Sequence, residues 1–599
     1  MTSGPGGSRR LVYAAAMAAI AAAIGTTACD QKNTLRFRVR MSKATHAAAA
    51  DGRLLVLLSK DTSREPRLSI DSEFQVTKVS STTTEVFGTN VDGLQPDGTV
   101  VLDDRALGFP VASLDRIPPG AYHVQAVLNV YETFHRKDGH VVKLPMDRWD
   151  GQRWSTKPGN LYSVPRTMWI DPASSGAIDL TLDREIPPKP YPQDTKYIKY
   201  VRIESKLLSE FWGRKFELGA FVLLPDGFDQ HPDARYPLIV NPAHFPTGIN
   251  GSTGVTAFSP ARPDPTAKGN DLTNQQYAYQ FYKDWTSGKL PRMLLMTIQH
   301  ATPYYDDSYG VNSQNNGPYG DAITQELIPY VEQKFRGIGQ PWARVLTGCS
   351  TGGWEAMGMQ VFYPDFYNGA WAGAPSPIDF RAERLLNLYE DRNAYFYEGP
   401  WGKVPRPSIG DLGTNDVLPA NRMEDDHVGI TMEQDNRHEL VVGDRGRGAG
   451  LWDGYQAVFS PVGEDGYPKP IWDKKMGVID RDVAAYWRDH YDISYILRRD
   501  WRSLGPKLAG KIHLTVGTHD EYYLAPAVRY VDAFLKTTND PYYDGSVEYG
   551  DRFIHCYTGD PTVPASISRM TLNQRHMPEM AARMLKTAPA GADVKSWKY

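Results

Sequence analysis

At 599 residues, with 23% charged and 11% aromatic side chains, the chain is too long for one ordinary domain and too apolar for a disordered one. Its 66 basic residues face 70 acidic ones, a net charge of -4, which excludes the basic footprint of a nucleic-acid binder. There are only three cysteines, Cys29, Cys349 and Cys556, so the place of each is informative.

The chain begins MTSGPGGSRRLVYAAAMAAIAAAIGTTACD, with Arg9 and Arg10 ahead of an apolar run from Leu11 to Ile24 and small residues before Cys29. Such a run is too short to span a bilayer and reads as an export signal over residues 1–29, the alternative being a buried N-terminal helix. The TTAC ending at Cys29 resembles a bacterial lipoprotein processing site, and the arginine pair faintly resembles a twin-arginine signal. Cys29 is therefore the lipidation candidate, and the expectation is a periplasmic or cell-envelope protein, anchored through that lipid or freed by cleavage after Ala28. With Cys29 so used, Cys349 and Cys556 remain for an oxidising compartment.

Strand-like runs follow: LRFRVRM (Leu35 to Met41), GRLLVLLS (Gly52 to Ser59), GAYHVQAVLNVYETF (Gly120 to Phe134) and GAIDLTLD (Gly176 to Asp183). Broken by Gly, Pro, Asn and Asp, they predict an antiparallel β-sandwich over 35–185. EIPPKPYPQDTK closes it, a proline-rich linker over 186–196. From Tyr197 the character changes. YVRIESKLL, ELGAFVLLP, PLIV and RMLLMTIQH read as strands, GDAITQELIPYVEQKF as a helix, and RVLTG as another strand with a helix behind it. That alternation predicts a parallel, doubly wound α/β sheet for 197–599. Between about 375 and 510 the pattern gives way to a stretch rich in Trp, Tyr, Asp, Arg and Gly. It reads as a cap insertion over the carboxyl ends of the strands, where ligands bind, or else as a rim decoration.

Gly348-Cys349-Ser350-Thr351-Gly352 has the form G-x-S-x-G between a predicted strand and a predicted helix. There, small residues permit a turn tight enough to expose a nucleophilic serine, Ser350, and the N–H of Thr351 faces a developing oxyanion. A serine needs a base oriented by a carboxylate, in the chain order Ser, acid, His. Asp520, just past the strand LTVG, is the leading acid and Glu521 the fallback. His555 in GDRFIHCYTGD is preferred as base over His576, which reads as a surface residue at a helix start. If Ser350 and His555 face one another, their neighbours Cys349 and Cys556 come within disulfide reach; two free buried cysteines are the alternative. A second oxyanion donor is expected from NPAHFPTG, through the N–H of His244 or Phe245. Metal-ligand spacing, a phosphate loop and a dinucleotide fingerprint are all missing from the sequence, so neither metal nor cofactor is expected.

RYPLIVNPAHF, YGDAITQELIPYVEQKF and TGCSTGGWEAM resemble the putative esterase group of α/β-hydrolases, with esterase D and the enterochelin esterases. The likeness covers most of the last 400 or so residues apart from the cap, and it implies an α/β-hydrolase fold. Phe245 departs from that group's usual glycine. GCSTGG together with His555-Cys556 also resembles the tannase and feruloyl esterase family, whose paired cysteines join the serine and histidine loops. Trp354 stands where that family usually has arginine.

These readings combine into an expectation of an exported serine hydrolase that cleaves a small-molecule, glycosyl or aryl ester by a Ser-His-Asp acyl-enzyme mechanism. A peptidase or amidase on the same fold is the alternative enzyme. From another class, the alternative is a non-catalytic cell-surface glycan-binding protein.

Overall fold

The computed structural model describes residue 1 and residues 34–69, 78–149, 151–242, 258–400, 402–410, 428–557, 559 and 569–599. The expected export signal with Cys29, and the loop of His244 and Phe245, lie outside them.

Ten strands form the first sheet: β1 (Arg36–Met41), β2 (Ala50–Ser59), β3 (Glu85–Leu94), β4 (Thr99–Leu102), β5 (Leu107–Phe109), β6 (Gly120–His135), β7 (Val141–Leu144), β8 (Leu161–Ser163), β9 (Arg166–Ile170) and β10 (Ala177–Glu185). They pair in the order β4-β1-β10-β8-β6-β2-β3-β5, with β7 and β9 against β6. Pairing departs from the expected antiparallel pattern at β1 and β10, which run parallel from Arg36 beside Ala177 to Met41 beside Leu182.

The apolar run of β2 has its cause in burial on both faces. Leu54, Val56 and Leu58 enter a core with Phe37, Val39, Phe87, Val124 and Leu128. Leu55 and Leu57, pointing the other way, pack with Trp154 and with Ile409, Ile430, Val441 and Val442 from the insertion. A strand covered on both sides reads as a continuous hydrophobic run, each fully buried Leu or Val contributing about 1.5–3 kcal/mol.

The second sheet has eight strands in one path: β11 (Ile198–Glu204), β12 (Glu217–Leu223), β13 (Leu238–Asn241), β14 (Leu294–Gln299), β15 (Arg344–Cys349), β16 (Ala370–Gly373), β17 (Ile512–Gly517) and β18 (Ser546–Gly550), ordered β11-β12-β14-β13-β15-β16-β17-β18. From β14 to β18 all neighbours are parallel. The expectation of an all-parallel sheet fails at one end, where β11, β12 and β14 pair antiparallel. YVRIESKLL is likewise not one strand: it stops at Glu204 because Ser205 accepts the N–H of Leu208 and caps a helix, Lys206–Trp212. A mixed sheet with intervening helices is α/β-hydrolase-like, and it puts the ends of β13, β15, β16 and β17 side by side.

The insertion supplies helices Met432–Val442, Leu451–Phe459, Arg481–His490 and Ile493–Leu508. Its aromatic residues Trp452, Tyr455, Phe459 and Trp487 are at most 2% exposed, so they serve as core. Phe459 packs on Trp354, on the helix that follows β15, and on Tyr309. Among the described residues no helix is long and apolar enough to cross a membrane.

Candidate active site

β15 ends at Cys349, and the helix Thr351–Phe362 begins one residue after Ser350. The reversal is made by Ser350 itself, at φ 61° and ψ -125°, a conformation that costs a non-glycine residue about 1–3 kcal/mol and persists only where the surroundings enforce it. Here they do. The Ser350 N–H donates to the carbonyl of Gly373 at 3.0 Å, and its carbonyl accepts the N–H of Ser376 at 3.0 Å, so the end of β16 and the start of the insertion clamp the two sides of the turn. The glycines have a steric reason. A Cβ on Gly348 would stand 2.1 Å from the Gly352 carbonyl oxygen, and one on Gly352 would stand 2.6 Å from that of Pro242. Replacing Gly348 with alanine is therefore expected to lower stability by about 1–3 kcal/mol and to displace Ser350, with loss of at least about 100-fold in turnover. Thermal unfolding measured beside ester hydrolysis checks both.

Thr351 is the first residue of that helix, so its N–H has no intrahelical acceptor and lies at the positive end of the helix dipole. The close approach of the Pro242 carbonyl to Gly352 brings the end of β13 to this turn.

Asp520 and His555 come from the loops after β17 and β18. The imidazole Nδ1–H donates to Asp520 Oδ2 at 2.7 Å, while Asp520 Oδ1 accepts the Tyr522 N–H at 2.9 Å. Glu521, the fallback acid, takes a different part: its Oε2 accepts the backbone N–H of His555 at 2.8 Å. Burial, together with the Asp520 charge, holds the Glu521 carboxyl above its ordinary range. The two adjacent acids thus divide ring and backbone between them. Gly517, at the end of β17, permits this closeness, since a Cβ there would stand 2.2 Å from the Phe553 carbonyl oxygen.

Cys349 and Cys556 are joined by a disulfide spanning 207 residues, with Cα atoms 5.9 Å apart. It ties the residue before Ser350 to the residue after His555. The two sulfurs and a ring nitrogen of His555 lie within 4.8 Å of one another. Metal ligation needs a thiolate, and sulfurs bonded to each other present none.

His576 is not a surface residue at a helix start. It is 3% exposed, inside the helix Arg569–Thr587, and its Nδ1 meets Glu579 at 2.9 Å. Glu579 also accepts the Trp371 indole N–H, so the described partner of the His576 ring is Glu579, where that of His555 is Asp520. Trp354 is buried against Tyr309 and Phe459, an apolar role quite unlike that of an arginine.

Three features had no signal in the sequence. Tyr522 lays its ring against the imidazole, centroids 4.5 Å apart. His300 and Glu355, both fully buried, approach to 3.7 Å, Glu355 from the helix Thr351–Phe362, with the His300 ring also 2.8 Å from Ser308 Oγ. Arg384 lies buried beside Trp452 and Tyr522.

No curated protein matches the chain. Solved structures to which it is similar include a ferulic acid esterase, at 12% identity over 65% of this chain and 99% of that one, with a TM-score of 0.34. An S-formylglutathione hydrolase from Agrobacterium tumefaciens is 12% identical over 65% and 98%, TM-score 0.32. A fluorophosphonate-binding serine hydrolase, FphF from Staphylococcus aureus, is 13% identical over 65% and 98%, TM-score 0.29. Residues 274–446 match the family described as putative esterase, a span that contains the turn at Ser350, so the likeness to that family read from the sequence holds for this part of the chain.

Proposed function

We propose that the protein is a serine hydrolase that cleaves carboxylic esters through an acyl-enzyme. Ser350 is the nucleophile, His555 the general base and then acid, Asp520 the group that orients the imidazole and stabilises its cation, and the Thr351 N–H an oxyanion donor. His244 or Phe245 is the second donor, and its loop lies outside the described residues. The observation that carries the reading is a single connected unit: carboxylate, imidazole and, through one disulfide, the strained turn of Ser350. The esterase family match over the same turn favours esters over amides.

We further infer export, with Cys29 as the candidate for acylation and cleavage after Ala28 as the alternative. A disulfide persists in an oxidising compartment, and the N-terminal charge and apolar pattern is that of an export signal. The domain limits follow the same reading, with a β unit over 35–185, a linker over 186–196 and the hydrolase over 197–599 interrupted by the cap. A sandwich-like closure of the β unit is supported by one core that takes residues from both ends of its sheet, Val39 of β1 and Val91 of β3 among them.

Labelling with a fluorophosphonate probe tests the assignment. Wild type is expected to label, Ser350→Ala not at all, and His555→Ala at a rate lower by about 10³-fold or more. His576→Ala should label normally, at a stability cost of about 1 kcal/mol for its lost hydrogen bond. An unlabelled wild type would refute the reading, and labelling that depends on His576 and not on His555 would reassign the base.

A further inference from the structure

We propose that Arg384 binds a carboxylate carried by the substrate, so that the enzyme acts on esters bearing a free acid group near the bond that is cleaved. The proposal deepens the esterase reading and rests on it.

Arg384 is 2% exposed, the most deeply buried kind of position for a guanidinium. Its Nη1 donates to the Ser408 carbonyl at 2.8 Å and to Ser408 Oγ at 2.7 Å. Its Nε and Nη2 are both buried and have no hydrogen-bond partner among the described residues. Those two nitrogens share one edge of the planar group, and their N–H bonds project in parallel. That edge is the fork that grips the two oxygens of a carboxylate. A cation buried without a paired anion is costly, which is why such groups almost always have a partner.

The surrounding carboxyls do not supply one. Asp435 reaches Arg384 only through Ser408, whose hydroxyl donates to Asp435 Oδ2 at 2.7 Å, and that same oxygen accepts the Trp452 indole N–H at 3.1 Å. Glu383, the neighbouring residue, is pushed up to about 8 by burial against the pull of the Arg384 cation, which weakens it as a counter-ion. Its Oε1 is also buried without a partner. Neither carboxyl forms an ion pair with Arg384, whose charge interactions with them act over a longer range.

Position connects the fork to catalysis. The guanidinium stands 5.7 Å from the ring centroid of Tyr522, and that ring lies 4.5 Å from the imidazole of His555. On the other side, the Arg384 charge acts on Tyr455, which hydrogen-bonds Ser376, the residue whose N–H holds the Ser350 carbonyl. The fork is thus one aromatic ring from the base. Shielded from water, a charge-assisted pair made there is stronger than at a surface.

The test is a ladder of monoethyl succinate, glutarate and adipate, each compared with its carboxamide counterpart, with hydrolysis followed by proton release. The quantity read is the ratio of kcat/KM, acid over amide. Wild type is expected to favour the best-fitting acid by roughly 10- to 100-fold, and Arg384→Met to bring that ratio close to one, whatever its absolute rate. Arg384→Lys keeps the charge but loses the fork, and its ratio should fall between the two. A wild-type ratio near one across the ladder overturns the proposal, as does a ratio unchanged in Arg384→Met. Should the Met variant not fold, wild type and Arg384→Lys decide the matter between them. If no ester at all is turned over, the esterase reading falls separately. Calorimetry with glutarate then decides the anion site: binding by wild type that is lost in Arg384→Lys sustains it, and no binding overturns it.

Discussion

Replacing Asp520 by asparagine is expected to lower kcat for ester hydrolysis by about 10⁴-fold while leaving the fold intact. The substitution keeps the shape but removes the negative charge that lies 2.7 Å from the imidazole, and its amide NH₂ favours the wrong ring tautomer. Glu521 cannot take over, since its carboxylate holds the His555 backbone N–H. Steady-state kinetics beside thermal unfolding checks the expectation. A fall of less than tenfold would mean that the imidazole is oriented by something other than Asp520.

Opening the disulfide should cost both stability and activity. Closing a loop of 207 residues removes conformational freedom from the unfolded chain worth about 5 kcal/mol in the chain-entropy picture. In the folded state the bond fixes the distance between two loops 207 residues apart in sequence, and a displacement of about 1 Å at a reacting pair costs roughly 100-fold. Cys349→Ser, Cys556→Ser and reduced wild type are all expected to lose turnover by about tenfold or more, with a lower unfolding temperature. Full activity after verified reduction would show that the noncovalent contacts of the histidine loop, those to Asp520 and Glu521 among them, hold it in place without the disulfide.

The candidate site was legible in the sequence where local sterics and chain order dictate it. Gly348 and Gly352 are needed because backbone atoms stand where their side chains would be, and this constraint is written into the pentapeptide. Asp520 was legible because a strand end delivers it, and Cys556 because it follows the histidine. Arg384, Tyr522, His300 and Glu355 were not, because nothing local marks a residue whose surroundings come from 33 to 138 positions away. In the fold, the parallel core strands followed from their apolar runs. The antiparallel end at β11 and β12 and the parallel pair β1 and β10 did not, because pairing partners are chosen by long-range packing, and a strand's own pattern is the same for either direction.

The double burial of β2 has a consequence for how the molecule can be divided. Leu55 and Leu57 lean on Val441 and Val442, and the Arg53 guanidinium donates to the Val441 carbonyl at 2.7 Å, so the insertion shares one of its seams with the N-terminal sheet. Chain order suggests a cut at the prolines after Glu185, but a fragment starting there would bare a stripe of isoleucine and valine, the sort of greasy seam that drives molecules to clump. By packing, the scissors have no clean place to fall.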